Sequence, residues 1–291
     1  MPELPEVETV KQQLEQKVKG LVIKNVKVRK PRLFHGDTKE IIGSKVIDVK
    51  RRAKMIIVVL EPKKTHPAGA SKLNLLIHLK MTGQLIFVNK NGKYGGGHPI
   101  PPFNMKVPCK YTHIEINFQD GSHLYFNDVR QFGWMRVVDS EKLKVESEKI
   151  GIDPLSKEFS LKKFQEILNK KKRSKIKQVL MDQSLIAGIG NIYASEICFY
   201  AYVLPTRIIS NLNQKEIKDL YFNIKKVLNI AIKHNGTSAN DYVNLDGKAG
   251  KHDKYLMVYG RENQKCKKCE LIIKKIKLGQ RGTYYCPKCQ K

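Results

Sequence analysis

The hydrophobic pattern changes period once along this chain, and that change limits the folds open to it. Between residues 21 and 138 the apolar side chains gather in short runs, at 21–28, 45–50, 55–60, 73–79, 85–88, 112–118, 123–126 and 133–138. Short runs at regular spacing, separated by turn residues, predict a β-sandwich or barrel. From Ser160 onward the apolar residues recur at helical spacing, over 161–169, 175–181, 191–200 and 214–234. One more helix leads the chain over residues 3–19, with Val7, Val10, Leu14 and Val18 on one face. A chain of 291 residues can form two domains and bury a sizeable core. The predicted class is therefore α+β and multidomain, a β-rich half followed by an α-rich half. Residues 89–108 are rich in Gly and Pro and predict a mobile loop. Residues 139–157 are polar, lack strong periodicity, and suit a hinge.

Six cysteines are present, and four are spaced Cys266-x2-Cys269-x16-Cys286-x2-Cys289. Two Cys-x2-Cys pairs at this separation are a zinc signature. Four thiolates leave tetrahedral zinc no open position, so one structural ion is expected. Such binding can stabilise a small module by ~10–16 kcal/mol. Cys109 and Cys198 lack partner spacing and read as ordinary thiols. The chain carries 55 basic and 27 acidic residues, a net charge of +28. A cationic surplus suits a polyanionic partner, because it releases counterions from nucleic acid. However, 45 of the 55 cations are lysines, as an AT-rich genome would also favour. No signal peptide or long apolar run is visible, so a soluble, cytoplasmic protein without a membrane partner is expected.

Pro2 follows Met1 directly. Removal of Met1 would leave a secondary amine at the chain start. An α-amino group titrates near ~8 against ~10.4 for lysine, so roughly a quarter is unprotonated at pH 7.5. That is a nucleophile ready to attack carbon. Glu3 lies beside it, where a proton carrier would be wanted. Pro2 and Glu3 also fit ordinary helix-start chemistry.

A wider set of motifs separates these readings. The start Met1-Pro2-Glu3-Leu4-Pro5-Glu6-Val7-Glu8-Thr9-Val10 resembles that of the formamidopyrimidine-DNA glycosylases, bacterial enzymes that excise oxidised purines. The resemblance continues through Arg51-Arg52-Ala53-Lys54, His78-Leu79-Lys80-Met81-Thr82-Gly83 and Asn127-Asp128-Val129-Arg130-Gln131-Phe132-Gly133. Beyond these come Leu180-Met181-Asp182, Gly188-Ile189-Gly190-Asn191-Ile192-Tyr193-Ala194, Val258-Tyr259-Gly260-Arg261 and the cysteine quartet. The landmarks keep the family's order and span nearly the whole chain. The resemblance implies an N-terminal catalytic β-sandwich with a leading helix over residues 1–138 and a hinge over 139–157. It implies a helix–two-turn–helix DNA-binding domain over 158–254 and a β-hairpin zinc finger over 255–291. A cationic cleft between the halves is the expected binding site.

By that resemblance Pro2 is the nucleophile that attacks C1′ of the damaged nucleotide, and Glu3 the proton carrier. Glu6 is expected to support that site electrostatically. Lys54 matches the family's essential lysine, and Arg281 the hairpin arginine that grips phosphate. Met81, Arg130 and Phe132 match the group that fills the void left by an extruded base. Lys172 and Asn191 match DNA contacts, with Asn191 opening a helix after Gly188 and Gly190, a phosphate-binding arrangement. Tyr111 stands where some relatives carry a DNA-contacting histidine. Gln131 stands where many carry a base. The implied function is base-excision repair of 8-oxoguanine and formamidopyrimidines in double-stranded DNA, with AP lyase activity by β,δ-elimination. A monomer in the bacterial cytoplasm, associated with the nucleoid, is expected. Two rivals stay open at this point. One is an endonuclease VIII-like glycosylase for oxidised pyrimidines. The other is a non-catalytic zinc-ribbon DNA-binding protein.

Overall fold

The computed structural model describes residues 1–63, 72–98, 106–238 and 242–291. The chain forms two compact units, Met1–Glu148 with Asn235–Lys251, and Lys149–His234 with His252–Lys291.

The first unit begins with helix α1, Leu4–Val18. Its start is fixed by a capping box: the Glu6 carboxylate accepts from the Glu3 N–H at 2.9 Å, and the Glu3 side chain faces the Glu6 N–H. Val7, Val10, Leu14 and Val18 are all buried in one cluster with both sheets. Burying each such side chain contributes roughly 1.5–3 kcal/mol. The strands are β1 (Ile23–Val28), β2 (Phe34–His35), β3 (Lys45–Arg52), β4 (Met55–Glu61), β5 (Leu73–His78) and β6 (Gly83–Asn89). Then follow β7 (Gly92–Gly97), β8 (Thr112–Phe118), β9 (His123–Asp128) and β10 (Trp134–Asp139). One five-stranded sheet has the order β1-β8-β9-β6-β7, the other β2-β10-β5-β4-β3. All pairings are antiparallel except β2 with β10. Inward residues such as Ile56, Val58, Leu75, Ile77, Leu85, Phe87 and Phe126 form the sandwich core.

Three local features differ from the sequence expectation. Strand β7 runs through the predicted mobile loop, of which residues 99–105 lie outside the described residues. Its glycines hide the strand signal and serve close approach. A Cβ on Gly96 would sit 2.9 Å from the Leu245 backbone nitrogen. Strand β2 spans only two residues, too few for a pattern. Helix α2, Ser140–Glu148, occupies part of the expected hinge and buries none of its side chains, so it has no apolar stripe to read.

The second unit holds helices α3 (Leu161–Asn169), α4 (Ile176–Met181), α5 (Asn191–Tyr200) and α6 (Gln214–Lys233). Asn213 and Glu216 form the capping box that starts α6. The hairpin β11 (Lys274–Leu278) and β12 (Arg281–Tyr285) follows. Its small core joins Phe199, Val258 and Ile273 to Cys266 and Cys286. The buried Glu196 carboxylate accepts from the N–H groups of Met257, Val258 and Tyr259 at 2.8, 2.9 and 2.9 Å. These bonds fix the segment that enters the hairpin.

Candidate nucleic-acid interface and metal centre

In the first unit the chain start, the β3–β4 turn and two loops each contribute. Pro2, Glu3 and Glu6 are buried at the head of α1, whereas Met1 is exposed. The second Glu6 oxygen accepts from the Thr237 N–H at 2.8 Å, and the Tyr242 hydroxyl donates to the Glu6 carbonyl at 3.2 Å. Glu6 thus ties the chain start to residues 237–242, of which 239–241 lie outside the described residues. Gly236 has a φ of +79°, and a Cβ there would meet the Glu6 side chain at 2.9 Å.

Lys54 is buried in the β3–β4 turn, which is closed by Ala53 at a φ of 54°. Arg51 holds this turn, donating from Nε to the Glu8 carboxylate at 2.6 Å and from a terminal nitrogen to the Ala53 carbonyl at 2.9 Å. His78 ends β5, and its Nδ1 accepts from the Lys80 N–H at 3.0 Å. Burial, then the charges of Lys80 and Lys54, push its pKa down to about 3. The imidazole is therefore neutral, with its proton assigned to Nε2.

Met81 and Phe132 are exposed apolar side chains, at 37% and 53%. They stand on two loops that follow β5 and β9. The Arg130 N–H donates to the Thr82 hydroxyl at 3.1 Å, joining these loops, and the Arg130 guanidinium lies 4.8 Å from the Phe132 ring centre. The three expected void-filling residues are thus grouped and reach solvent. Gly83 permits the first loop, since a Cβ there would fall 2.4 Å from the Leu79 carbonyl oxygen. Gln131 accepts from Arg32 at 2.5 Å, so a cation lies beside the residue that itself lacks one. Tyr111 is half-buried, with the Lys110 ammonium 5.0 Å from its ring centre.

In the second unit Asn191 opens α5 behind Gly188, whose φ is 105°. Gln183 braces this turn, accepting from the Gly188 N–H at 2.9 Å and donating to the Met181 and Ile189 carbonyls at 2.7 Å. The Asn191 amide nitrogen donates to the Gly282 carbonyl at 3.0 Å, which brings the helix start beside Arg281 at the head of β12. Lys177 completes the junction. Its ammonium donates to the Asn191 side-chain oxygen and the Thr283 hydroxyl, both at 2.7 Å, and to the Gly282 carbonyl at 3.4 Å. Arg281 and Lys172 are exposed. Sequence reasoning missed Lys177. Its signal was a cation inside the apolar stripe of α4, between Ile176 and Val179.

The four cysteines of the quartet place their sulfurs within 4.8 Å of one another. Cys266 and Cys289 approach to 3.9 Å, Cys269 and Cys286 to 3.4 Å. A tetrahedral ion bonded to sulfur at ~2.3 Å requires sulfurs ~3.8 Å apart, so the donor set fits one four-coordinate ion. The N–H groups of Lys268 and Cys289 donate to the Cys266 and Cys286 sulfurs, each at 3.4 Å. Such bonds stabilise thiolate charge.

Three family models match successive parts of the chain. Residues 1–135 match the formamidopyrimidine-DNA glycosylase N-terminal domain, and residues 150–243 match its H2TH domain. Residues 263–291 match the zinc finger found in FPG and IleRS. The chain belongs to the formamidopyrimidine-DNA glycosylase family. Formamidopyrimidine-DNA glycosylases are DNA repair glycosylases, and AP lyase activity is part of the family. The formamidopyrimidine-DNA glycosylase of Prochlorococcus marinus is 40% identical over 100% of both chains. That of Listeria monocytogenes is 36% identical, again over 100% of both. Among solved structures, a Lactococcus lactis Fpg variant bound to Fapy-dG DNA shares 33% identity, with a TM-score of 0.83 over 100% of both chains. The same bacterium's Fpg bound to abasic-site DNA shares 32%, with a TM-score of 0.83 over 99% of both. The predicted fold class agrees with this family fold. Among the described residues no helix is long and apolar enough to cross a membrane.

Proposed function

We propose that this chain excises oxidised purines, 8-oxoguanine and formamidopyrimidines, from double-stranded DNA and then cleaves the strand. The observation that carries the reading is the exposed Met81, Arg130 and Phe132 group, held on joined loops in a chain that matches Fpg along its whole length. An extruded base leaves an orphaned partner and a gap in the stack. Met81 and Phe132 supply apolar wedges, and Arg130 supplies donors for an orphaned cytosine.

Processing of Met1 frees the Pro2 nitrogen. That nitrogen attacks C1′ and displaces the base, which leaves with a proton; the C1′–O4′ bond then opens, O4′ takes a proton, and the resulting iminium joins the enzyme to the sugar. Glu3 carries protons at the sugar. Loss of the C2′ proton expels the 3′ phosphate, and a second elimination expels the 5′ phosphate. Lys54 serves phosphate binding and proton transfer. Arg281, Lys172 and the N-terminus of α5 with Asn191 hold backbone phosphates. Tyr111 offers a phenol to a phosphate where some relatives offer a histidine. The quartet Cys266, Cys269, Cys286 and Cys289 holds zinc, which keeps the hairpin folded and takes no part in the reaction. The enzyme works as a monomer in the bacterial cytoplasm, on the nucleoid.

A second reading has its own support. Lactococcus lactis Fpg, 33% identical to this chain, is also known bound to DNA that contains an oxidized pyrimidine. Excision rates of 8-oxoguanine and thymine glycol from matched duplexes separate the two. Faster release of 8-oxoguanine opposite cytosine, with β,δ-elimination products, is the expected result. Preference for thymine glycol reverses the substrate assignment. Binding without cleavage supports the non-catalytic alternative.

A further inference from the structure

Asp128 is fully buried, at 0% exposure, between the two loops that carry the exposed group. One carboxylate oxygen accepts from the Thr82 hydroxyl, and from the Arg130 N–H at 3.1 Å. The other accepts from the Gly133 N–H at 2.6 Å. The Thr82 hydroxyl oxygen in turn accepts from the Arg130 N–H at 3.1 Å. The backbone of Asp128 is held as well. Its N–H donates to the Tyr111 carbonyl at 3.1 Å, and its carbonyl lies 2.7 Å from His113 Nε2. A Cβ on Gly133 would come within 3.1 Å of the carboxylate and 2.9 Å of the His78 carbonyl. Arg130 and Gly133, which bracket Gln131 and Phe132, are therefore both fitted to this one acid.

We infer that Asp128 is a positioning residue: it locks the Met81 loop to the Arg130–Phe132 loop, so that the three exposed side chains enter the duplex as one rigid unit. This rests on the reading of those three residues as the void-filling group. Asp128 has no exposed surface and so acts through its neighbours. It accepts from three donors on two loops, and a carboxylate supplies only acceptors. An amide in its place turns one acceptor into a donor. That donor must then face either the Thr82 and Arg130 side or the Gly133 N–H. The loops part, and Arg130 loses its fixed aim at the orphaned base. Misaimed donors cost specificity before they cost chemistry, because base discrimination depends on hydrogen-bond geometry.

The test measures kcat/KM on duplexes with 8-oxoguanine opposite cytosine and opposite adenine, and borohydride trapping on single-stranded abasic DNA. Asp128→Asn, Thr82→Val and Arg130→Ala are compared, with the melting transition of each as a check on folding. A lost base-specific bond is worth about tenfold in discrimination, and Asp128→Asn is expected to lower the cytosine-to-adenine ratio by that factor. Thr82→Val lowers the ratio in the same direction and keeps the inference testable if Asp128→Asn does not fold. Adding Asp128→Asn to Arg130→Ala is expected to cost no further discrimination, since both act on one contact. Single-stranded trapping, which has no orphaned partner, is expected to stay within about twofold. An unchanged ratio in folded Asp128→Asn and Thr82→Val overturns the inference alone. Equal losses on single and double strands, or additive losses in the double variant, also overturn it. A wild-type enzyme indifferent to the opposite base overturns the reading of Arg130 and this inference together.

Discussion

Replacing Lys177 with methionine separates support from direct DNA contact. Lys177 is 1% exposed, and its ammonium donates two bonds of 2.7 Å, to Asn191 and Thr283. A charge-assisted bond contributes ~1.5–3 kcal/mol, but burying an ammonium costs several kcal/mol, so the two effects largely offset. What the variant leaves behind decides the net change. The Gly282 carbonyl keeps its bond from Asn191 at 3.0 Å, and the Thr283 hydroxyl can still donate to the Arg281 carbonyl at 3.3 Å. The Asn191 side-chain oxygen loses the bond it accepts from Lys177. One orphaned acceptor costs ~1–3 kcal/mol. Methionine fills a similar volume and adds little strain. Urea unfolding is expected to show a loss in that range. Affinity for abasic duplex is expected to fall about tenfold, equivalent to ~1.4 kcal/mol, because Asn191 and Arg281 lose their common brace. The slope of log affinity against log salt is expected to stay the same, because Lys177 neutralises no phosphate. Lys172→Ala, at an exposed cation, is expected to reduce that slope by about 1. A reduced slope for Lys177→Met means direct phosphate contact, and unchanged stability with unchanged affinity removes its bracing role. Either outcome contradicts a bracing role for Lys177 without phosphate contact.

His78 and His252 predict acid sensitivity. Burial first, then neighbouring lysines, push His78 down to about 3, and burial followed by the charge of His234 pushes His252 down to about 4. Both bind protons more readily when unfolded, so their stability is fully present above about pH 6.5 and falls as pH drops toward those values. The loss is expected at up to ~1.4 kcal/mol per pH unit per histidine, measured by unfolding between pH 7 and 4. His252→Phe is expected to flatten that decline, and an unchanged slope contradicts the assignment. Chelation, or Cys286→Ser, is expected to release one zinc per chain and unfold the hairpin, whose apolar core is small. Metal analysis with circular dichroism checks it, and a chain that keeps its hairpin without metal contradicts a structural ion.

The sequence made most of the fold legible because its elements obey local rules. Helices over 161–169 and 191–200 carry uninterrupted apolar patterns, and the structure places α3 and α5 on the same residues. Strand β7 was hidden because it pairs through glycines whose value lies in contacts with residues near 245. The cysteine quartet was legible because metal geometry fixes its spacing. Asp128 and Lys177 were not, since each earns its place through partners far along the chain, such as Thr82 and Thr283. A charged residue inside an apolar stripe marks such a position but does not name its partners.

In the proposed reaction the Pro2 nitrogen, freed of Met1, forms the covalent bond to the damaged sugar. The most direct measurement is borohydride trapping on abasic and 8-oxoguanine duplexes, followed by mass analysis of the cross-linked N-terminal peptide. An adduct on Pro2 is expected, greatly reduced in Pro2→Gly and absent when Met1 or a tag is retained. An adduct on a lysine, or full trapping by a chain whose Met1 is still in place, contradicts it.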